Sequence, residues 1–215
     1  MAGLDELIIE YQHDDFTNLN SELSSIILEL GDELKELEVD KDNRAHYTPY
    51  INKPYQCKSK MTNWDLSYRF EQAYFISNLV CNYVDRDFSP IEHKGKFIES
   101  WGVSYGSGNS IDWHCHGEPQ GNANYSFAYY VKVPKNSSSL LFKSIPYKIE
   151  ENWETRLDYY KDMDNGFPEY PILYECIPSE GKMVIWDAKI MHHVPPNNSK
   201  DRCAFIGNIT LSQKE

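Results

Sequence analysis

Four of the seven histidines lie in two short clusters. The first cluster is Trp113-His114-Cys115-His116, and the second, Met191-His192-His193-Val194, follows about 75 residues later. Because a β-strand turns alternate side chains to the same face, His114 and His116 would present two imidazoles together. A third ligand from the distant cluster would complete a facial metal site with open positions, and imidazole suits iron, zinc, copper and nickel. The spacing therefore favours a catalytic metal centre over a structural one.

Other interpretations of the first cluster remain open at this point. Glu118 would lie on the same face if the extended backbone continues past His116, so a carboxylate is a rival ligand. A His-x-His pair taken alone is more often two unrelated surface side chains. A zinc-dependent hydrolase is disfavoured, because no general base stands out beside the histidines.

The sequence around the first cluster carries a resemblance to a known family. The run Tyr105-Gly-Ser-Gly108, followed by five residues and His114-x-His116, resembles a segment of the 2-oxoglutarate/Fe(II)-dependent oxygenase superfamily, including its prolyl-hydroxylase-like members. In that family a tyrosine and a glycine lead into His-x-Asp with similar spacing. The next run, Tyr125-Ser-Phe-Ala-Tyr-Tyr-Val-Lys-Val-Pro134, is similar to the family strand that carries paired tyrosines.

The second cluster continues the resemblance. Its context, Glu180-Gly-Lys-Met-Val-Ile-Trp-Asp-Ala-Lys-Ile-Met-His192-His-Val-Pro-Pro, is similar to the family's glycine, apolar strand and distal histidine. His192, rather than His193, matches by its place before x-Val. Arg202 follows ten residues later, where the family keeps the arginine that pairs with the far carboxylate of 2-oxoglutarate. A guanidinium suits that role because its planar fork can bind a carboxylate through two parallel hydrogen bonds.

The resemblance covers about residues 97–212 and implies both a fold and an activity. The expected fold is mainly β, a double-stranded β-helix of the jelly-roll or cupin-like type with supporting N-terminal helices. The implied enzyme is an oxygenase that binds Fe(II) through His114, His116 and His192 and binds 2-oxoglutarate through Arg202, with Tyr105 adding a hydrogen bond. It would hydroxylate a small-molecule or peptide substrate and release succinate and CO2.

One departure from the family pattern keeps alternatives open. The second ligand position usually holds Asp or Glu, whereas His116 stands there in this chain, so either three histidines bind the metal or Glu118 supplies the carboxylate. The altered triad leaves the activity itself open. A cupin-type dioxygenase without 2-oxoglutarate also fits Gly108 and the two histidines, although Glu118 lies too close for the cupin pattern. A non-catalytic jelly-roll protein is the remaining alternative.

The elements that must position these residues follow from periodicity. Leu19, Leu23, Ile26, Ile27, Leu30, Leu34 and Leu37 form the stripe of an amphipathic helix, with Thr17 as its N-cap. A second helix, capped by Thr62, would bury Leu66, Phe70, Ala73, Ile76, Val80 and Val84. We expect both to pack on one side of a sheet. The predicted strands are Phe97–Tyr105, Tyr125–Val133, Ser139–Phe142, Ile172–Ile177, Lys182–Trp186 and Arg202–Leu211. An inserted helix is predicted around Glu150–Asp164.

Length and composition limit the remaining possibilities. The 215 residues favour one domain, with residues 1–95 mostly helical support and 96–215 the β-helix core. A net charge of −12 disfavours nucleic acid as a partner. Five scattered cysteines argue against a disulfide framework, and no signal peptide or run of about eighteen apolar residues is found. We therefore expect a cytoplasmic protein that is not associated with a membrane. The oligomeric state is open, a homodimer being one option.

Overall fold

The computed structural model describes residues 8–31, 33, 59–88, 92–116, 123–143 and 172–213. Three helices lie in the N-terminal part: α1 (Thr17–Leu30), α2 (Leu66–Arg69) and α3 (Glu71–Asp87). The predicted stripe is buried on α1 at Leu23 and Ile27. In the described part of the chain, no helix combines the length and the apolar character that a membrane span requires.

Ten strands form two antiparallel sheets. Their bounds are β1 (Ile8–Gln12), β2 (Lys60–Met61), β3 (His93–Tyr105), β4 (Ile111–His114), β5 (Tyr125–Lys132), β6 (Leu140–Lys143), β7 (Ile172–Cys176), β8 (Lys182–Asp187), β9 (Met191–Val194) and β10 (Arg202–Gln213). The larger sheet has the order β1-β8-β5-β10-β3-β2, and the smaller has the order β4-β9-β6-β7. This arrangement is the double-stranded β-helix that the sequence predicted.

The larger sheet is buried on both faces, which explains why its central strands are almost continuously apolar. Phe127, Tyr129 and Val131 of β5 face the helices, together with Met183, Ile185 and Phe205 of the neighbouring strands. The alternate residues face the smaller sheet and form a second core, which contains Ala128, Tyr130, Val184, Trp186 and Ala204. Each fully buried apolar side chain contributes roughly 1.5–3 kcal/mol. His114, His116 and His192 line a pocket in this second core, between the sheets.

Helix α1 approaches the sheet closely because β3 carries a glycine beneath it. A Cβ atom at Gly102 would lie 2.4 Å from Cγ1 of Ile27. The absence of a side chain at this position therefore lets α1 pack directly on the strand whose inner face lines the histidine site.

The structure corrects several predicted element boundaries. Helix α1 begins at Thr17, but its N-cap residue is Phe16. The second predicted helix is two helices, because Phe70 has extended dihedrals (φ −132°, ψ 130°). Thr62 does not cap it; instead, the backbone N–H of Gly102 donates to Thr62 Oγ1 at 3.0 Å. Leu34, Leu37 and the predicted helix around Glu150–Asp164 lie outside the described residues.

Two strands of the larger sheet come from the N-terminal segment. Strand β1 pairs with β8, and β2 pairs with β3. Neither strand is predicted from the sequence, since the apolar run at Leu7–Ile9 is too short for its periodicity to distinguish a strand from a helix. The division of the chain at residue 95 into helical support and β-core stays a prediction.

Candidate metal centre

Two of the histidines lie side by side on neighbouring strands of the smaller sheet. Strand β4 ends at His114, and the antiparallel register pairs its Cα with that of His192 on β9. Directly opposite residues of antiparallel strands project their side chains to the same face. Both residues are almost fully buried, and their ring centroids lie 4.1 Å apart. The register therefore brings together two imidazoles that are 78 residues apart in the chain.

His116 lies just beyond the end of β4 and is held in place by backbone and side-chain hydrogen bonds. Its backbone N–H donates to the carbonyl of Ala188 at 2.8 Å. Its Nδ1 lies 2.8 Å from Oδ1 of Asn208 and 3.0 Å from Oγ of Ser126. These contacts leave Nε2 of His116 directed away from the larger sheet's polar side chains.

The three imidazoles converge on one point. The ring of His116 lies 5.1 Å from that of His114 and 4.9 Å from that of His192. One nitrogen from each ring can be chosen so that all three lie within 4.8 Å of one another. Three nitrogens this close can reach one divalent metal ion, although bonds of roughly 2.0–2.1 Å require the rings to move slightly closer together.

The protonation states of these imidazoles suit a metal ion. Burial lowers the pKa of His116 to about 4, although its hydrogen bond with Asn208 opposes the shift. Burial lowers the pKa of His192 well below its usual range, and the neighbouring His114 and His116 add to the effect. Both rings are therefore neutral at pH 7, which is the form that coordinates metals. Nδ1 of His192 lies 3.0 Å from the carbonyl oxygen of Ile190, so Nδ1 carries the proton and Nε2 is available as a ligand.

Arg202 lies in the same pocket and is 1% exposed. Its register partner on β3 is Tyr105, and its Cζ lies 4.4 Å from the centre of the Tyr105 ring and 5.3 Å from that of Tyr130. Among the described residues, Nε and Nη1 of Arg202 have no hydrogen-bond partner. A buried cation with unsatisfied donors is costly, and an anionic ligand would satisfy both the charge and the donors.

The pocket that joins the histidines to Arg202 is otherwise apolar. Its volume is about 530 Å³ including its open mouth, and its other lining residues are Met61, Trp101, Val103, Tyr105, Ile111, Ala128, Tyr130, Leu140, Trp186, Val194, Ala204 and Ile206. None of the described lining residues is acidic. In its described part, the pocket therefore contains three histidines that can bind a metal ion and one buried arginine, and it contains no acidic side chain that could pair with either.

The structure places the predicted site residues as follows. His114, His116, His192, Arg202 and Tyr105 all line this one pocket. His193 instead points away, stacking on Trp113 with ring centroids 5.0 Å apart. The ring of Tyr105 packs against the guanidinium.

Glu118, the rival ligand, lies outside the described residues. Trp101 and Trp186 are buried residues that also line the pocket. Tyr129 instead lies in the helix-facing core, where its hydroxyl donates to Oδ1 of Asn20 at 2.7 Å.

Sequence reasoning missed the residues that support the histidines and the arginine. Asn208 and Ser126 contact His116, and Nδ2 of Asn208 donates to Oε1 of Glu99 at 2.6 Å. Tyr130 packs on Arg202 and donates its hydroxyl to Sγ of Cys176 at 3.7 Å. The paired tyrosines of the β5 sequence were a signal for Tyr130, but nothing in the linear spacing connected Glu99 or Ser126 to His116.

Comparison with models of known protein families identifies the family of this chain. The family model described as "Putative 2OG-Fe(II) oxygenase" matches residues 99–206, a segment that contains all three histidines and Arg202. The chain belongs to this family. Like its family, the oxygenase uses Fe(II) with 2-oxoglutarate as co-substrate, and the three histidines and the unsatisfied arginine fit these two groups. A sequence search of the curated proteins gave no significant match.

Solved structures support the fold of the oxygenase. A Pseudomonas putida prolyl-4-hydroxylase is similar with a TM-score of 0.60 and 11% identity, covering 97% of this chain and 93% of its own. A prolyl hydroxylase from Trichoplax adhaerens, in complex with a hypoxia-inducible-factor peptide fragment, has a TM-score of 0.58 and 11% identity, with coverages of 94% and 83%.

A third solved structure has different ligands. HygX from Streptomyces hygroscopicus, with nickel, 2-oxoglutarate and hygromycin B bound, has a TM-score of 0.54 and 12% identity, with coverages of 96% and 84%. At these identities the three structures establish the double-stranded β-helix alone.

Proposed function

We propose that the oxygenase binds Fe(II) through His114, His116 and His192, and that it hydroxylates a C–H bond of a peptide or small-molecule substrate. The observation that carries the proposal is the convergence of three buried imidazoles, each able to offer one nitrogen within 4.8 Å of the others. Two of these rings are neutral at pH 7 because burial lowers the pKa of His116 and His192.

Arg202 is proposed to hold the far carboxylate of 2-oxoglutarate. Its guanidinium is buried in the same pocket, two of its nitrogens have no partner among the described residues, and the described lining has no competing carboxylate. The rings of Tyr105 and Tyr130 pack on the guanidinium and hold it in place. Burial raises the pKa of the Tyr130 hydroxyl well above its usual range, so this ring stays neutral beside the arginine.

A neutral three-histidine triad changes the charge of the site relative to a triad that contains a carboxylate. The metal keeps its full double charge, and Arg202 adds a further positive charge in a pocket whose described lining contains no acidic side chain. A dianionic oxoacid compensates this excess, so the charge favours 2-oxoglutarate over a neutral ligand. A cupin-type dioxygenase that uses no oxoacid would need no buried cation of this kind.

The chemistry divides between the bound groups and the protein. When bound, Fe(II) and 2-oxoglutarate together activate dioxygen for hydroxylation, with release of succinate and CO2. The protein's own side chains fix the three nitrogens in one facial set, anchor the oxoacid by its far end and keep the pocket apolar. Trp101, Trp186 and Ile206 line that pocket and limit the access of water to it.

The substrate class is proposed as peptide or small molecule. The Trichoplax adhaerens structure contains a peptide fragment and the HygX structure contains hygromycin B, so proteins of this fold are found with both kinds of ligand. We also propose a cytoplasmic location, since Cys81, Cys176 and Cys203 are buried thiols rather than members of disulfides.

Anaerobic titration of the metal-free protein with Fe(II), with and without 2-oxoglutarate, tests the proposal. A visible charge-transfer band that requires both components is the expected result. The matched pair of variants is His192→Gln and His193→Gln, because the two neighbours project to opposite sides of β9, the first into the pocket and the second onto Trp113. The first should lose the band and the second should keep it. Equal bands in both variants, or no iron binding by the wild type, would overturn the proposed site.

A further inference from the structure

A row of three polar side chains crosses the larger sheet beneath His116. The strand register places Glu99 of β3 opposite Asn208 of β10, and Asn208 opposite Ser126 of β5. All three project from the face that carries the pocket, since Asn208 contacts both neighbours and Asn208 and Ser126 contact His116. The β3–β10 register shifts directly after Asn208, an irregularity of the kind that redirects side chains beside active sites.

The carboxylate of Glu99 determines which groups in this row donate hydrogen bonds and which accept them. An ionised carboxylate can only accept, so the Asn208 group that lies 2.6 Å from Oε1 of Glu99 must be its NH2 group. The amide oxygen of Asn208 must then face His116, at 2.8 Å from Nδ1. An oxygen at this position needs a donor, so the proton of a neutral His116 ring must lie on Nδ1. Ser126 does not decide the direction, because its hydroxyl can donate or accept.

We propose that Glu99 is a positioning residue, which acts through Asn208 to fix His116 in the tautomer with the proton on Nδ1. The lone pair of Nε2 is then the one available for coordination. That consequence rests on the proposed function, in which His116 is an iron ligand. Without Glu99 the amide of Asn208 could rotate, its NH2 group would donate to Nδ1, and the proton would move to Nε2, where it blocks a metal ion.

The tautomer can be measured in the metal-free protein by long-range proton–nitrogen NMR of 15N-histidine-labelled samples, with the His116 signals assigned by their loss in His116→Gln. In the wild type at pH 7.5 we expect the His116 proton on Nδ1. In Glu99→Gln either orientation of Asn208 is satisfied, because the new amide can donate or accept. We therefore expect a mixture of the two tautomers.

A double variant distinguishes positioning from a general loss of structure. Glu99→Gln combined with Asn208→Asp exchanges the carboxylate and the amide at constant net charge and nearly constant shape. The residue-99 amide then donates to the residue-208 carboxylate, which accepts from Nδ1 of His116, so we expect the Nδ1 tautomer alone. Glu175→Gln is the control, since Glu175 is an exposed glutamate on β7 of the other sheet. It should match the wild type.

Calorimetric titration with Fe(II) under anaerobic conditions adds an independent readout. Only molecules with an unprotonated Nε2 on His116 can bind the metal, so a roughly equal mixture of tautomers should weaken Fe(II) binding about twofold, and a mixture dominated by the other tautomer should weaken it more. The double variant should recover most of this loss.

The two proposals fail separately. A wild type that does not bind Fe(II) contradicts the metal site, and this is read from the titration alone. A His116 proton on Nε2 in the wild type, or a Glu99→Gln tautomer identical to the wild type, contradicts the positioning role whatever the metal does.

Discussion

The substitution Arg202→Met should make the ligand-free protein slightly more stable while strongly weakening its binding of 2-oxoglutarate. Arg202 is 1% exposed, and its Nε and Nη1 have no hydrogen-bond partner among the described residues. Burying an unsatisfied polar group costs about 1–3 kcal/mol, so the two nitrogens together cost about 2–6 kcal/mol. Methionine has similar length and no such cost.

Part of that gain is offset by lost packing. The guanidinium lies 4.4 Å from the Tyr105 ring and 5.3 Å from the Tyr130 ring, and each cation–π contact contributes about 1–2 kcal/mol. The middle values of these ranges, about 4 kcal/mol gained and about 3 kcal/mol lost, leave about 1 kcal/mol in favour of the variant. For a chain of this length that corresponds to a rise in Tm of about 2–4 °C.

The binding of 2-oxoglutarate changes in the opposite direction. Two charge-assisted hydrogen bonds contribute about 1.5–3 kcal/mol each, so their loss should weaken binding by roughly 100-fold or more. Arg202→Lys keeps the charge but not the planar fork, and it should bind with intermediate affinity. Arg86→Met is the control, because the Arg86 side chain is 60% exposed and pairs with Asp87 on α3.

Thermal unfolding under anaerobic conditions measures both effects in one series. Each protein is unfolded with Fe(II) alone and with Fe(II) plus increasing 2-oxoglutarate. The wild type and Arg86→Met should gain stability with ligand concentration, whereas Arg202→Met should respond only at concentrations roughly 100-fold higher. If Arg202→Met responds at the same concentrations as the wild type, the oxoacid is anchored elsewhere and the charge argument is wrong.

Three further predictions concern the groups around the pocket. Burial lowers the pKa of His116 from 6.5 to about 4, so as the pH falls this histidine takes up a proton in the unfolded state before it does so in the folded state. The free energy of unfolding that the neutral ring contributes above pH 6.5 is therefore lost progressively between pH 6.5 and pH 4. The free energy of unfolding, measured with urea at pH 7.5 and at pH 4.5, should decrease by roughly 2–4 kcal/mol less in His116→Asn than in the wild type. An equal decrease in both proteins would contradict the lowered pKa of His116. Gly102→Ala places a Cβ atom 2.4 Å from Cγ1 of Ile27 and should lower Tm by about 2–12 °C. The decrease should be smaller when Ile27 is also replaced by alanine. Gly106→Ala is the control and should have little effect, because its Cβ would meet only Asn109 at ordinary distances. Tyr130→Leu should lower the free energy of unfolding by about 1 kcal/mol through loss of its cation–π contact with Arg202, measured by urea unfolding against Tyr130→Phe, which keeps the ring.

The parts of the fold that could be predicted from the sequence are those with a long, regular pattern. Strands β3, β5 and β10 have 13, 8 and 12 residues, and the predicted versions lie within a few residues of the observed ends. Strands β4 and β9 have four residues each, too few for a period to stand out. The break at Phe70 follows from its extended backbone, which no glycine or proline announces in the sequence.

The metal-facing residues could be proposed from spacing because two of them are close in the chain and the family pattern supplied the others. Their supporting residues could not, because Glu99, Asn208 and Ser126 meet only through the register of three strands. A shift of one residue in either pairing would turn these side chains to the opposite face. The irregularity after Asn208 adds a further displacement that the sequence does not encode in any readable way.

One signal in β10 nevertheless pointed to the supporting row. Arg202, Ala204, Ile206 and Asn208 alternate along the strand and face the pocket side, so two of these four positions are polar in a strand buried on both faces. Buried polar side chains are almost always hydrogen-bonded or functional. Nε and Nη1 of Arg202 lack a hydrogen-bond partner among the described residues and suit a ligand, whereas Asn208 has both its amide groups engaged. These two buried polar residues therefore have different roles. Arg202 is a cation whose unsatisfied nitrogens require an anionic ligand, whereas the amide of Asn208 accepts from His116 because its NH2 group donates to Glu99.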